Sequence, residues 1–181
     1  MRMRVPIPGE HSVYNALSAI AVGLHYGLTL EDLKHGLLRC APAEGRMFTR
    51  STDYLTVIDD CYNANPFSVM AAVDVLEHVK GRKVFVLGDM RELGPDSADL
   101  HELMGNYSLK HGVDLLVCVG DDAEHAFLAA LDIDPRRTRY FQQQDEMLEA
   151  LPGLLFKGDT VLVKASRYMG LEKTVKRLME L

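Results

Sequence analysis

The chain has 181 residues, and its 26 acidic and 20 basic residues give a formal net charge of −6 at pH 7. Because a domain typically holds about 150 residues, we expect one full domain and a fragment of a second. With 48% hydrophobic residues and no apolar run long enough to span a bilayer, the composition excludes membrane and disordered proteins. The acidic balance argues against nucleic acid as a partner. The N-terminal residues lack a signal-peptide apolar stretch, so we expect a cytoplasmic protein.

The cysteines and histidines give neither a disulfide pattern nor a metal pattern. Cys40, Cys61 and Cys118 are odd in number and match no disulfide framework or zinc spacing, so we expect reduced, mostly buried thiols. The segment His101–Gly105 begins like a zinc-protease helix, but Gly105 stands where the second histidine is required. The pattern therefore disfavours a metalloprotease, and we predict no metal ligands in the chain.

The first 45 residues are predicted to form a pair of helices. Apolar residues recur at helical spacing after His11, Gly27 ends that helix, and Thr29–Asp32 opens a second one as a capping box. Ahead of the pair, Arg2–Pro8 is expected to be a lone strand, since each proline holds its predecessor in extended geometry. The recurring apolar residues are Val13, Leu17, Ile20 and Leu24.

From residue 47 onward the hydrophobic pattern alternates between strand and helix. The predicted strands are Met47–Thr52, Tyr54–Asp59, Lys83–Leu87, Leu115–Val119, Arg139–Phe141 and Thr160–Lys164. Helices are expected after the Asn65 cap and at Ser97–His111, Ala123–Leu131, Glu146–Leu151 and Leu171–Leu181. This alternation predicts an α/β fold: a mostly parallel six-stranded sheet with helices on both faces and an antiparallel edge at residues 47–52.

Polar residues gather where the predicted strands end, which is where an open α/β sheet binds ligands. A lysine and an arginine three residues apart, Lys164 and Arg167, could hold a carboxylate or a phosphate. The alternative for single residues is a local role, with Asn65 and Asp122 as helix caps. The polar strand ends are Asp59–Pro66, Gly88–Met90, Gly120–Asp122 and Lys164–Arg167.

Three further polar residues lie near the predicted helical pair. His11 and Asn15 are four residues apart and share a helical face, where they could contact a flat polar ligand or simply be solvated. Arg46 follows Gly45 at the junction, where a surface charge is the alternative. No segment matches GxxxxGK[ST] or a strand-linked GxGxxG, so the chain lacks a phosphate-binding loop.

Taken in order, these segments resemble the C-terminal half of a Mur ligase. The Tyr62–Asn65 string, together with Gly88–Met90 and Glu92–Gly94, is similar to the branch of the family that adds D-alanyl-D-alanine to UDP-N-acetylmuramoyl-tripeptide. His11 with Asn15 and Gly45-Arg46 match patterns shared more widely in the family. The matching segments are Pro8–His11, Asn15–Leu17, Gly45–Arg46, Asp59–Pro66, Leu87–Gly94 and Val163–Arg167.

The resemblance implies a division of the chain. Residues 1–45 would be the incomplete C-terminal tail of the central ATP-binding domain, and residues 46–181 the Rossmann-like C-terminal domain of the family. Apolar residues of the first segment are candidates for self-association, since 45 residues are too few for an independent core. The missing N-terminal and central domains are the other expected partners.

The resemblance also implies a reaction in peptidoglycan precursor synthesis. ATP and Mg²⁺ would convert the tripeptide carboxylate to an acyl phosphate, which the dipeptide amine then attacks. The implied ATP-binding residues are His11, Asn15, Arg46 and Asp60, with Arg46 at the phosphates and Asp60 at the ribose. The implied substrate-binding residues are Tyr62, Asn63, Asn65, Lys164, Ser166 and Arg167.

The chain departs from the family pattern at Ser12, Cys61 and Ala165, where asparagine, serine and glycine are common. The methyl group of Ala165 is the serious departure, because that backbone is expected to approach a ligand or to need a positive φ. No catalytic residue is assigned, and without the phosphate-binding loop, the magnesium ligands and the UDP-sugar domain we predict that the chain alone does not catalyse ligation or bind a cofactor tightly.

Two other functions remain as alternatives. The acids Asp59, Asp60 and Asp121 together with Lys164 imitate the phosphoacceptor site of a receiver domain, although that scheme leaves residues 62–66 and 92–94 without a role. A stable acyl phosphate on Asp121 would favour the receiver. A non-catalytic interaction module is the third hypothesis, and it would bind neither nucleotide nor dipeptide.

Overall fold

The computed structural model describes residues 2–181, and the chain divides into two compact units, Met1–Ala43 and Glu44–Leu181. The helices are α1 (Glu10–His25), α2 (Leu30–Leu38), α3 (Pro66–Glu77), α4 (Ser97–Lys110), α5 (Ala123–Ile133), α6 (Gln144–Leu154) and α7 (Glu172–Met179). The strands are β1 (Phe48–Ser51), β2 (Thr56–Asp59), β3 (Lys83–Gly88), β4 (Leu115–Val119), β5 (Thr138–Phe141) and β6 (Thr160–Lys164). Short 3-10 helices lie at Gly94–Asp96, Pro135–Arg137 and Arg167–Met169. Among the described residues, no helix has the length and apolar character needed to cross a bilayer.

The first unit contains the predicted helical pair. Thr29 caps α2 through a capping box, in which its hydroxyl accepts from the Asp32 N–H at 3.2 Å and the Asp32 carboxylate accepts from the Thr29 N–H at 3.0 Å. The prediction of a strand at Arg2–Pro8 is wrong: residues 2–8 form no strand. The two prolines of this segment have no N–H, so it offers few donors for a ladder.

Three of the four apolar side chains that suggested α1 are exposed, and the fourth, Ile20, is half-buried. Val13, Leu17 and Leu24 are each about half exposed, while small residues such as Ala16 and Gly23 are buried. A Cβ on Gly23 would lie 2.4 Å from a Leu33 methyl carbon, so a larger residue there requires the Leu33 side chain to move.

The second unit is built on the predicted six-stranded sheet, with the order β1-β2-β6-β3-β4-β5. Only the edge pair β1–β2 is antiparallel, and the other four pairs are parallel. Alternate residues of β3 face different layers: Phe85 and Leu87 pack in one apolar cluster, and Val84 and Val86 in the other. Burial on both faces explains the continuous apolar runs of the central strands.

The parallel arrangement brings four strand ends to one edge of the sheet. β2 ends at Asp59, β6 at Lys164, β3 at Gly88 and β4 at Val119. In the sheet order, β6 lies between β2 and β3, so the loops after these three strands are immediate neighbours. This edge carries the candidate site.

A buried histidine fixes the loop after β3. His101 of α4 is fully buried, its Nε2 accepts from the Met90 N–H at 2.9 Å, and its Nδ1 donates to the Ser97 carbonyl at 2.7 Å. This pattern requires the neutral ring, because a protonated Nε2 cannot accept a hydrogen bond. Burial lowers the pKa of His101, and the bond to the Ser97 carbonyl opposes that effect.

Replacing Gly105 by alanine tests the contact between α4 and α5. A Cβ on Gly105 would lie 2.0 Å from the Ala126 carbonyl oxygen, so we expect Gly105→Ala to lower the free energy of unfolding by about 2 kcal/mol or more. Gly153→Ala is the matched control, because Gly153 is an exposed helical glycine and a Cβ there would meet no atom within 4 Å. Urea denaturation should show a change below about 1 kcal/mol for the control.

The free energy of unfolding should decrease as the pH falls below about 6.5, the ordinary histidine pKa. Because the folded-state pKa of His101 is lowered, the unfolded chain binds more protons in this window, and stability rises with pH there. Asp89, whose pKa is raised by burial, contributes with the opposite sign. Urea denaturation should therefore show that the free energy of unfolding falls less between pH 7.5 and pH 5.5 for His101→Gln than for the parent chain. An equal dependence on pH in both proteins would contradict a role for His101.

Candidate functional site

A buried ion pair joins the ends of β2 and β6. Lys164 Nζ lies 2.6 Å from Asp60 Oδ2, and Lys164 and Asp60 are only 2% and 9% exposed. Lys164 also donates to the Asn63 carbonyl at 3.0 Å, and Asp60 Oδ1 accepts from the Met47 N–H at 3.0 Å. Both charges are thus paired and further hydrogen-bonded, as buried charges must be. The ammonium group of Lys164 thus binds a carboxylate of the chain itself, and its role toward a ligand together with Arg167 stays a prediction.

The neighbouring Asp59 orders the segment that leads into β1. Its Oδ2 accepts from the Gly45 N–H at 3.3 Å and its Oδ1 from the Cys61 thiol at 3.0 Å. Tyr62 N–H donates to the Gly45 carbonyl at 3.0 Å. Gly45 has a φ of +74°, and a Cβ there would lie 3.2 Å from the Tyr62 backbone nitrogen, so only glycine fits well.

Burial raises the pKa of the Cys61 thiol, and the hydrogen bond to Asp59 adds to the effect. Cys61 is therefore a structural thiol with little nucleophilic character. Burial likewise raises the pKa of Cys118, while Cys40 is exposed, so the expectation of buried thiols holds for two of the three cysteines.

Two arginines lie against the ring of Tyr62. The guanidinium carbon of Arg46 is 4.1 Å from the ring centroid, and that of Arg167 is 5.2 Å away. Tyr62 is 42% exposed, so this group of one ring and two cations lies at the surface of the strand-end edge. A guanidinium group that lies against a ring can still donate from its edge, which suits recognition of phosphate or carboxylate. One nitrogen of Arg167 already lies 3.3 Å from Glu172 Oε1.

Ser166 ties the end of β6 to the loop after β3. Its hydroxyl accepts from the Arg91 N–H at 2.8 Å and donates to the Ala64 carbonyl at 3.4 Å, and its own N–H donates to the Asp89 carbonyl at 2.9 Å. Ser166 is 5% exposed. These contacts give it a positioning role within the edge.

The two asparagines after β2 differ in their surroundings. Asn65 Oδ1 accepts from the Ser68 N–H at 2.9 Å, and the Asn65 N–H donates to Ser68 Oγ at 3.1 Å, which forms a capping box at the start of α3. The local role weighed for Asn65 is therefore present. Asn63 is exposed, with its carbonyl bound to Lys164.

Ala165 fits the edge without strain. It is fully buried and is not among the residues of positive φ. A Cβ on Gly88 would lie only 2.7 Å from the Ala165 Cβ. The Ala165 methyl group therefore fits because Gly88, on the neighbouring strand β3, has no side chain. The positive φ that was one reason for concern at Ala165 is therefore not needed in this structure.

Asp89 and Arg91 belong to the same edge and were not among the predicted site residues. Asp89 Oδ1 accepts from the Ala123 N–H at 2.9 Å, and its Oδ2 lies 3.3 Å from an Arg91 nitrogen. Burial raises the pKa of Asp89, and the Ala123 N–H and Arg91 act against the rise. The predicted cap role of Asp122 is wrong: its side chain makes no cap bond, and Asp89 accepts from the first residue of α5 instead.

We name the grouped side chains the strand-end cluster. The described structure brings seven predicted site residues together there, and Asn65 caps the adjoining helix. His11 and Asn15 lie one turn apart on α1 of the first unit, His11 half-buried and Asn15 exposed. The strand-end cluster consists of Arg46, Asp60, Tyr62, Asn63, Lys164, Ser166 and Arg167.

Comparison with known proteins agrees with this architecture. A family model described as Mur ligase, glutamate ligase domain, matches residues 45–167. UDP-N-acetylmuramoyl-tripeptide–D-alanyl-D-alanine ligases of Escherichia coli and Bacillus subtilis are 35% and 36% identical over 97% of this chain, which covers 38% and 39% of their own length. The chain thus spans about two fifths of these relatives.

Solved structures give the same picture. A crystal structure of MurF from Acinetobacter baumannii matches with a TM-score of 0.91 at 37% identity, covering 99% of this chain and 40% of that one. MurF from Thermotoga maritima in complex with ADP matches in fold, with a TM-score of 0.80 at 24% identity over 96% of this chain and 39% of that one. With the family model covering more than half of its residues, the chain belongs to the Mur ligase family.

Proposed function

We propose that this chain is the C-terminal part of an ATP-dependent ligase that joins D-alanyl-D-alanine to UDP-N-acetylmuramoyl-tripeptide in peptidoglycan precursor synthesis. The names of relatives that align with 97% of the chain support this substrate pair. Residues 1–45 would form the tail of the central ATP-binding domain, and residues 46–181 the C-terminal domain. The protein would act in the cytoplasm, where nucleotide-activated precursors are made.

The observation that carries the proposal is the pair of arginines against Tyr62. ATP phosphorylates the tripeptide carboxylate, the dipeptide amine attacks the resulting acyl phosphate, and phosphate leaves. Each stage presents an anion that must be neutralised. In this proposal Arg46 would donate to the ATP phosphates. Arg167, whose side chain is two-thirds exposed, would donate to the dipeptide carboxylate or the acyl phosphate.

The buried pair has a positioning role in this scheme. Lys164 holds Asp60 and the Asn63 carbonyl, so it fixes the segment that presents Tyr62 and Asn63 to the substrate side. Each Asp60 oxygen has one protein donor and retains a lone pair for a ribose hydroxyl. His11 and Asn15, which belong to the first unit, would contact the adenine. Ser166 and Asn65 would stabilise the loops at the strand-end edge through their backbone hydrogen bonds.

The residues of the strand-end cluster do not fit Mg²⁺. The one carboxylate of the cluster, Asp60, is paired with the Lys164 ammonium at 2.6 Å, so its charge is already neutralised and does not attract a divalent cation. The adjoining Asp59 is buried and accepts from the Gly45 N–H and the Cys61 thiol. We therefore assign no magnesium ligand to this chain. The ion would be held by the phosphates and by the missing domains.

The sheet order disfavours the receiver alternative. Asp121 follows β4, and β6 and β3 separate β4 from β2, which carries Asp59. At about 4.8 Å between neighbouring strands, Asp121 would lie roughly 14 Å from the acids after β2. At that distance, Asp121 does not form one acidic pocket with Asp59, Asp60 and Lys164.

The ligase proposal is tested by measuring phosphate release with ATP, UDP-N-acetylmuramoyl-tripeptide and D-alanyl-D-alanine. We expect the chain alone to release none, and the protein completed with the N-terminal and central domains to depend on all three substrates. Release by the completed protein without the dipeptide would contradict the proposed acceptor. An absence of nucleotide and dipeptide binding in the completed protein would favour the interaction module.

Arg46→Ala in the completed protein should raise the KM for ATP at least tenfold, which corresponds to about 1.4 kcal/mol of lost phosphate contact. Arg136→Ala is the matched control, because Arg136 is 89% exposed and pairs with Asp134 outside the strand-end cluster. Steady-state kinetics at saturating tripeptide and dipeptide provide the measurement. Equal KM values for the two variants would argue against a phosphate contact by Arg46.

Breaking the buried pair on one side should cost more than removing both charges. Asp60→Ala leaves the Lys164 ammonium buried and unpaired, so we expect the free energy of unfolding to fall by about 3–5 kcal/mol. The double variant Asp60→Ala/Lys164→Met should be less destabilised than Asp60→Ala alone. Additive effects in a double-mutant cycle measured by urea denaturation would show that the two charges are not coupled.

The exposed apolar side chains of α1 support self-association through residues 1–45 in the isolated chain. Leu17→Glu should shift sedimentation toward the monomer, because it places a charge among half-exposed apolar groups. Leu128→Glu, a comparable exposed position on α5, is the control. A chain that is monomeric at all concentrations before substitution would contradict this proposal.

A further inference from the structure

A second group of polar side chains lies away from the strand-end cluster. Asp74 and Glu77 are in the last turn of α3, and His111 follows the last residue of α4. One ligand atom of each residue lies within 4.8 Å of the others. Because α3 starts at the strand-end edge and rises about 1.5 Å per residue, Asp74 and Glu77 lie roughly 12 and 17 Å along the helix from that edge.

The three potential ligand atoms are close enough to reach one metal ion after small shifts of their side chains. His111 Nδ1 lies 3.1 Å from Glu77 Oε2 and 3.9 Å from Asp74 Oδ1. Ligands about 2.1 Å from a zinc ion are roughly 3.0–3.4 Å apart in octahedral or tetrahedral geometry. The His111–Glu77 pair, which is a hydrogen bond in the structure, already has that separation, and the His111–Asp74 pair needs a shift of about 0.5 Å. The third pair, between the Asp74 and Glu77 oxygens, lies within 4.8 Å.

The histidine ring is held in place by a neighbour that is not itself a ligand. Tyr107 stacks on His111 with ring centroids 3.9 Å apart and an interplanar angle of 16°. The Tyr107 hydroxyl donates to Asp74 Oδ1 at 2.5 Å. One tyrosine thus orients both the imidazole and a carboxylate, as supporting residues do around metal ligands.

The helix geometry favours a cation at this place. The group lies at the C-terminal ends of both α3 and α4, where the backbone carbonyls carry partial negative charge. Two carboxylates add to that field, and their side chains and the imidazole are one-third to one-half exposed, so an ion can reach them.

We propose that Asp74, Glu77 and His111 bind a first-row divalent cation of the zinc type and that the ion links α3 to α4. The nitrogen ligand selects against magnesium and calcium, which prefer oxygen alone. Water completes the coordination. The exposure of the three side chains indicates a structural site of moderate affinity, independent of the ligase chemistry.

Titration of the whole chain with zinc chloride, followed by calorimetry, tests the proposal. We expect one saturable site, an increase in Tm with zinc that EDTA reverses, and no such increase with magnesium chloride. Glu77→Gln, which keeps the side-chain shape, and His111→Ala should each weaken zinc binding at least tenfold. Circular dichroism of both variants establishes that they are folded.

His78→Ala is the matched control. His78 is an exposed histidine next to Glu77, but its Nδ1 contacts the Asp74 backbone carbonyl and it is not one of the three ligands. This variant should bind zinc as the parent chain does. Cys40→Ser serves as a second control for binding to an exposed thiol. Retention of zinc binding in His111→Ala, or its loss in either control, would overturn the proposal, as would the absence of saturable binding.

Discussion

The buried contact between Asp60 and Lys164 is the constraint on which the strand-end edge depends. Removing two charges from water costs several kcal/mol each, and their attraction offsets this only when the remaining donors and acceptors are satisfied. Here the Met47 N–H and the Asn63 carbonyl supply those partners. The pair therefore fixes the end of β2, the end of β6, the start of β1 and the loop between β2 and α3 together. Tyr62 and the two arginines beside it are presented on that fixed segment.

Most of the sheet could be predicted because its strands are buried on both faces. Leu115–Val119 and Thr160–Lys164 are predicted with the bounds that the structure has, since an uninterrupted apolar run bounded by polar turns leaves little ambiguity. The strand expected at Arg2–Pro8 shows the limit of local reasoning. Prolines make a segment extended, but a strand also needs a partner, and a partner is a property of the tertiary fold.

The candidate site was predictable in its location and less so in its side-chain contacts. The polar strand ends identify the edge through the general rule for parallel sheets. Burial of Lys164 could not be foreseen, because lysine is rarely buried and its partner is 104 residues away in sequence. The cap on α5 has the same explanation: Asp122 is adjacent to the helix, but Asp89 reaches it from the neighbouring strand. Contacts between segments that are distant in sequence can be identified only once the fold is known.

The shared ring of Tyr62 has an electrostatic consequence. Arg46 and Arg167 each approach within 5.2 Å of one centroid, so their like charges lie within a Debye length of about 8–10 Å of each other. The fold holds them there against mutual repulsion. In the proposed ligase, an anion of higher charge close to both guanidinium groups would reduce that repulsion more than a singly charged one, in addition to accepting their hydrogen bonds.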